Sequence, residues 1–221
     1  MPMTERILVL VAHPDDETFG MGGTIARHVR SGEPVSIVAF ADGVGSRGNN
    51  KEAIEERHGM FRRACKILGT EDVWPHQYAD NQMDNLPLLQ IVKHIEIHLA
   101  RFKPTIVYTH WIGDLNVDHQ VMHRAVNVAC RPLPGSPIKR LMYFEVPCST
   151  AWGEGFSPNY FVDINGTFSV KMEACAQYTT ELGEENHPRS LESIERLAML
   201  RGARAGLPSG AEAFVIGRMI E

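Results

Sequence analysis

The sequence is poor in cysteine and has no two cysteines close together. Cys65, Cys130, Cys148 and Cys175 are the only four in 221 residues and form no CxxC pair, which argues against a cysteine zinc site and for reduced, packed thiols. No apolar run reaches the roughly 18 residues of a membrane span. The run Ile7-Leu8-Val9-Leu10-Val11 lacks the basic flank and small-residue cleavage site of a secretory leader and ends in charge. Neither sign of charge dominates, with 22 Lys and Arg against 27 Asp and Glu. That balance gives no electrostatic reason to expect nucleic acid or an anionic membrane as partner. Repeats and low-complexity segments are absent. The expectation is a cytoplasmic, single-domain protein over 1–221, large enough for a sizeable core and acting on a small molecule, with a homo-oligomer left open.

Apolar strand-like runs alternate with helix-period segments, which predicts βαβ units and a doubly wound, mostly parallel α/β sheet of Rossmann-like form with helices on both faces. Strands are expected over 6–12, 35–41, 72–74, 105–110, 141–146, 160–164 and 212–220. Helices are expected over 22–31, 49–68 (stopped by Gly69), 86–102, a segment ending near Ala129 and capped by Asn116 or Asp118, 167–182 and 188–205. The Pro/Gly-rich stretches 131–137 and 153–158 read as loops over the site.

The most informative segment is Ala12-His13-Pro14-Asp15-Asp16-Glu17, which follows the first apolar run without a break. It places one imidazole and three carboxylates at the end of a buried strand. Clustered carboxylates repel and lose hydration there, and a bound cation is the simplest compensation. A second strand, 105–109, leads into His110-Trp111-Ile112-Gly113-Asp114-Leu115-Asn116-Val117-Asp118-His119. In an open α/β sheet both strand ends face one crevice, so loops about a hundred residues apart in sequence can converge. Catalytic zinc keeps about three protein ligands, and His13, Asp16 and His119 would supply them. Asp15 is then free to take a proton from water whose pKa the cation lowers to about 7.

The AHPDDE motif after strand one and the later Asp118-His119 pair opening a helix resemble the LmbE/PIG-L family of zinc-dependent N-acetyl-sugar deacetylases. Further matching positions are Arg57 ahead of Ala64 and Leu68-Gly69, Asp80 in Tyr78-Ala79-Asp80-Asn81, and Arg201-Gly202 with Glu212-Ala213-Phe214. The resemblance implies one Zn2+ on His13, Asp16 and His119, Asp15 as general base, Arg57 and Asp80 as residues that hold the sugar, and an acetamido sugar or sugar conjugate as substrate. One position departs from it. Many members carry His-Pro-Asp-His where this chain has Asn116-Val117-Asp118-His119. Asn116 can donate to an oxyanion but cannot deliver a proton near neutral pH. The catalytic group is therefore Asp15, Asn116 and Asp118, with His110 or Asp15 as the acid. The rivals are hydrolysis of another amide or ester, and a catalytically silent sugar-binding homologue.

Other signals have plainer readings. Gly20-Met21-Gly22-Gly23 with Asp42 imitates a dinucleotide fingerprint, but AHPDDE occupies the turn those glycines would need, so close packing of helix one explains them better. His123 reads as a capping or packing residue, and His94 and His98 as surface residues of an amphipathic helix. Trp111, Trp152, Phe156 and Tyr160 are candidate stacking walls.

Overall fold

The computed structural model describes residues 4–48 and 50–221, so the expected helix start at Asn49 lies outside the described residues. The strands are β1 (Ile7–Val11), β2 (Val35–Ala41), β3 (Val73–Tyr78), β4 (Ile106–His110), β5 (Arg140–Phe144), β6 (Tyr160–Asp163) and β7 (Ala211–Met219). The helices are α1 (Asp16–Arg30), α2 (Lys51–Leu68), α3 (Leu88–Phe102), α4 (Val117–Ala129), α5 (Phe168–Cys175) and α6 (Leu191–Arg204). All seven strands form one sheet in the order β3-β2-β1-β4-β5-β7-β6. The first five run parallel, and β7 lies antiparallel between β5 and β6. This is the expected mostly parallel, Rossmann-like α/β fold.

Alternation along β1 builds both cores. Ile7, Val9 and Val11 face a cluster with Phe19, Ile25, Phe61, Leu68 and Ile194, whereas Leu8 and Leu10 face Ile91, Ile95, Met122 and Val126. Helices α1, α2, α5 and α6 therefore cover one face, and α3 and α4 the other. Each fully buried Leu, Ile or Phe contributes about 1.5–3 kcal/mol. Because β2 follows β1 to one side while β4 pairs with its other side, the winding reverses between β1 and β4. Ligands bind in the crevice outside the strand ends at such a switch point. Both motif loops open there.

Several expected boundaries are corrected. α1 begins at Asp16 rather than Gly22 and is broken at Met21 (φ −147°, ψ 25°). The break frees the backbone N–H groups of Gly23 and Thr24, and buried Glu212 accepts both, at 2.9 and 2.6 Å. The sequence expectation thus found the second segment of a kinked helix. The nearby glycines do serve close packing: a Cβ on Gly20 would lie 2.5 Å from the Phe144 ring, and one on Gly23 2.8 Å from Ile164. β3 runs on to Tyr78, with Pro75 tolerated because the strand is at the sheet edge. The expected helix 167–182 ends at Cys175, and the chain turns so that buried Tyr178 donates to Glu17 at 2.6 Å. Loop 131–137 leads from α4 into the start of β5, so it lies at the sheet end opposite the crevice. His98 is buried rather than on the surface.

Candidate active site

The turn after β1 is stitched to the end of β4. The Ala12 N–H donates to His110 Nε2 at 2.8 Å, and the His13 N–H donates to Asp16 Oδ2 at 2.8 Å. Asp15 sits at the N-terminus of α1 without a side-chain capping bond, which leaves its carboxylate available to the cleft. The third carboxylate, Glu17, turns into the core, where Thr18 and Tyr178 hydroxyls donate to it. Burial lifts its pKa to about 8.

His13, Asp16 and His119 meet at the crevice. His13 Nδ1 is 3.2 Å from His119 Nε2, and each of those nitrogens is 3.3 Å from Asp16 Oδ2. The other ring nitrogen of His13 faces Asp80 Oδ1 and Asp118 Oδ2, both at 3.2 Å. Two donor sets thus share His13. The carboxylates of the second set are largely committed. Asp118 accepts the backbone N–H groups of Asn81 (2.8 Å) and Met83 (2.9 Å), and Asp80 Oδ2 accepts from Ser46. Asp16, by contrast, keeps a buried Oδ1 with no hydrogen-bond partner among the described residues. The set with coordinating capacity left over is His13, Asp16 and His119.

The electrostatics fit a cation. Burial pulls the His119 pKa down, yet Asp16 and Asp114 outweigh it and hold the group at about 9. His13 is likewise raised, against burial, by Asp118, Asp16 and Asp80. Burial opposes ionisation of Asp16, but His119 and His110 draw its pKa well below the usual carboxylate range. In effect the carboxylates demand positive charge between them. A divalent ion would meet that demand with the same nitrogen and oxygen donors. Asp114 Oδ1 lies 3.1 Å from His119 Nδ1, and Asp114 Oδ2 accepts from the Ser149 and Thr150 hydroxyls, an arrangement that fixes which imidazole nitrogen faces the cluster.

Beside this cluster lies an open cleft of about 220 Å³, lined by His13, Asp15, Arg57, Asn81, Asn116 and Arg189 among others. Asp15 Oδ2 accepts from Arg57 Nη2 at 2.8 Å and is 3.6 Å from Arg189 Nη1, while Asp15 Oδ1 has no hydrogen-bond partner among the described residues. Burial raises the Asp15 pKa, opposed by Arg57 and Arg189. Arg57 is only 2% exposed, and its other arm meets Glu181 at 2.5 Å. Two protein carboxylates therefore pair with the guanidinium that the resemblance assigns to the sugar, and its Nε and Nη1 have no hydrogen-bond partner among the described residues.

Asn116 is the N-cap of α4. Its Oδ1 accepts from Asp118 N (2.8 Å) and His119 N (3.4 Å), and its Nδ2 donates to Asn81 Oδ1 at 2.9 Å. His110 stacks on His119 with ring centroids 4.0 Å apart and is fully buried. Burial, followed by His119, drives its pKa well below normal. It does not line the cleft. Of the aromatic candidates, Trp111 packs on Phe156 and Tyr143, Tyr160 packs on Phe214, and Trp152 stays exposed. His123 packs on Tyr143.

Sequence reasoning missed Arg189, Glu181 and Asn81, which lie in turns, and Ser46, in the short 3-10 helix Gly45–Arg47, all without a periodic signal. Asp114 was within reach, as a carboxylate five residues ahead of His119.

The family pattern described as "PIG-L: GlcNAc-PI de-N-acetylase" matches residues 8–130. The chain is 29% identical over 178 residues to the "Uncharacterized deacetylase YaiS" of Escherichia coli K12, covering 78% of this chain and 89% of that protein. It is 27% identical over 216 residues to the diacetylchitobiose deacetylase of Thermococcus kodakarensis, covering 91% and 79%. Among solved structures, the conserved protein TT1542 of Thermus thermophilus superposes with a TM-score of 0.79 at 25% identity, over 99% and 97% of the two chains. The fold alone does not choose the reaction. The 4-carboxy-2-hydroxymuconate hydratase of Pseudomonas putida shares it, at a TM-score of 0.76 and 20% identity over 99% of each chain. With the pattern spanning both loops that carry His13 and His119, this chain belongs to the PIG-L family.

Proposed function

We propose that the chain removes the N-acetyl group of an amino sugar or sugar conjugate by hydrolysis, releasing acetate and a free amine, with Zn2+ held by His13, Asp16 and His119. One observation carries this reading: three buried donors converge beside a carboxylate, Asp15, that faces the cleft with one oxygen free. When bound, the ion would polarise the amide carbonyl and make water acidic enough to be deprotonated near neutral pH.

The chain's own residues supply the remaining steps. Asp15 takes the water proton and returns it to the departing nitrogen. Its burial-raised pKa suits a group that must do both. Arg57 positions Asp15 rather than the sugar. Arg189, whose side chain is 21% exposed, lines the cleft as a cation able to meet a substrate oxygen, as does the more exposed Arg47. Asn116 Nδ2 is a donor at the cleft for the developing oxyanion, because its Oδ1 is committed to the helix cap. Asp80 and Asp118 orient His13 and the Asn81 turn. His110 holds the β1 turn through the Ala12 N–H and is not the acid. The four cysteines are unpaired and buried, which supports a reducing, cytoplasmic location.

Incubating metal-loaded protein with a panel of acetamido sugars, their conjugates and acetyl esters, read by mass, tests the proposal. Loss of one acetyl group from a sugar amide is expected. Turnover of esters alone would move the reaction to another bond, and binding without mass change would leave a silent sugar-binding protein.

A further inference from the structure

A second cluster of metal-type donors lies outside the cleft and takes no part in the chemistry above. His76 is on β3, the edge strand of the sheet, and His94 and His98 are one turn apart on α3, the helix packed beside it. One ring nitrogen from each lies within 4.8 Å of the other two. His76 Nε2 and His98 Nε2 face each other at 3.0 Å, and the His76 and His94 ring centroids are 4.1 Å apart.

The chemistry of these rings favours an ion over a proton. His76 Nε2 and His98 Nε2 can share one hydrogen as an N–H···N bond, and an ion between them would instead take a lone pair from each. Imidazole nitrogens bound at about 2.0–2.1 Å to one tetrahedral ion sit about 3.3 Å apart, close to the 3.0 Å between His76 and His98, with a nitrogen of His94 within 4.8 Å of both. Tyr78 Oη lies 3.0 Å from His94 Nδ1, and an Nδ1–H donating to that hydroxyl oxygen leaves the His94 Nε2 lone pair for a ligand. The rings are neutral at pH 7: burial, followed by mutual repulsion with His94, holds His76 and His98 at about 4, and burial also lowers His94. Phe40 packs against all three rings and fixes their positions. His76 and His94 remain partly exposed, which gives an ion a way in.

We propose that His76, His94 and His98 form a second divalent metal site, of the class that imidazole ligands suit, Zn2+, Cu2+ or Ni2+, with water completing the coordination. Such an ion clips α3 to the edge strand. It is independent of the deacetylase reading.

The test is a metal count on full-length protein stripped by chelator and dialysed against Zn2+ or Ni2+ alone. Wild type is expected to hold one ion per chain more than His94→Ala, His94→Gln or His76→Ala, whatever the catalytic cluster holds. Each of these variants should weaken Ni2+ binding by more than the roughly 10–100-fold that loss of an outer partner costs. Deacetylation should be unchanged in His94→Gln. Trp74 offers a second reading, because its ring centroid is 5.9 Å from that of His98. Cu2+ should quench its fluorescence in wild type, and the quench should vanish in Trp74→Phe and in His94→Gln. Equal metal counts in wild type and His94→Gln, together with equal quenching, would overturn the proposal. His98 is buried and its substitution can cost the fold, which is why the partly exposed His94 carries the test.

Discussion

Arg57 Nη2 donates to Asp15 Oδ2 at 2.8 Å between two side chains that are almost wholly enclosed, and the same guanidinium reaches Glu181 at 2.5 Å. An arginine so committed acts on the base. Arg57→Ala should lower kcat on the order of 10²-fold, the cost of misplacing a reacting group by about 1 Å, with little change in KM. Arg189→Ala should mainly raise KM. Steady-state kinetics of the two variants check the split, and a pure KM effect in Arg57→Ala would return Arg57 to substrate binding.

Asp15→Asn should keep its metal and lose on the order of 10²–10⁴ in turnover, the range of a general acid–base group. His13→Ala and His119→Ala should lose the catalytic-site ion and activity while staying folded. Asp114→Ala should weaken that ion by roughly 10–100-fold, because Asp114 orients His119 without joining the set. Metal analysis beside kinetics separates these classes, and full catalytic-site occupancy in His119→Ala refutes the ligand set.

Asn116 combines two duties that substitution can part. Asn116→Ala removes the α4 cap and should cost about 1 kcal/mol of stability, as well as roughly 10²–10³ in turnover. Asn116→Ser restores a capping oxygen but not the amide donor. Recovery of stability without recovery of rate is the expected result in denaturant melts and assays. Full rate in Asn116→Ser would remove it as an oxyanion donor.

Burial, followed by neighbouring His119, holds the His110 pKa well below the usual imidazole value, so the ring is already deprotonated on the alkaline side of neutrality. A group deprotonated throughout cannot produce loss of activity at high pH. His110→Gln should therefore keep the alkaline limb of the pH–rate profile, although its rate can fall through the lost Ala12 contact. Disappearance of that limb would make His110 the acid after all.

Burial pushes the Cys130 and Cys175 thiols up to about 12 and raises Cys65 and Cys148 as well. Thiolate is the reactive form. A thiol reagent at pH 8 should label native protein slowly and all four cysteines once it is denatured. Rapid labelling of a native cysteine would contradict this packing.

The sequence by itself determined the fold class, the strand that carries AHPDDE and the grouping of His13, Asp16 and His119. Each rests on local rules: a period of two in the strands, repulsion among clustered carboxylates, and the tendency of strand ends to share one crevice. Tertiary structure decided the rest. The kink that starts α1 at Asp16 depends on Glu212, nearly two hundred residues away, accepting two freed N–H groups. The partners of Asp15 come from α2 and from the turn holding Arg189, which have no periodic relation to the motif. His94 and His98 have the spacing of an exposed helical stripe, and only the edge strand bringing His76 beside them turns that stripe into a partly buried cluster. Contacts between distant segments follow from how the layers stack, and residue spacing along one element does not encode that.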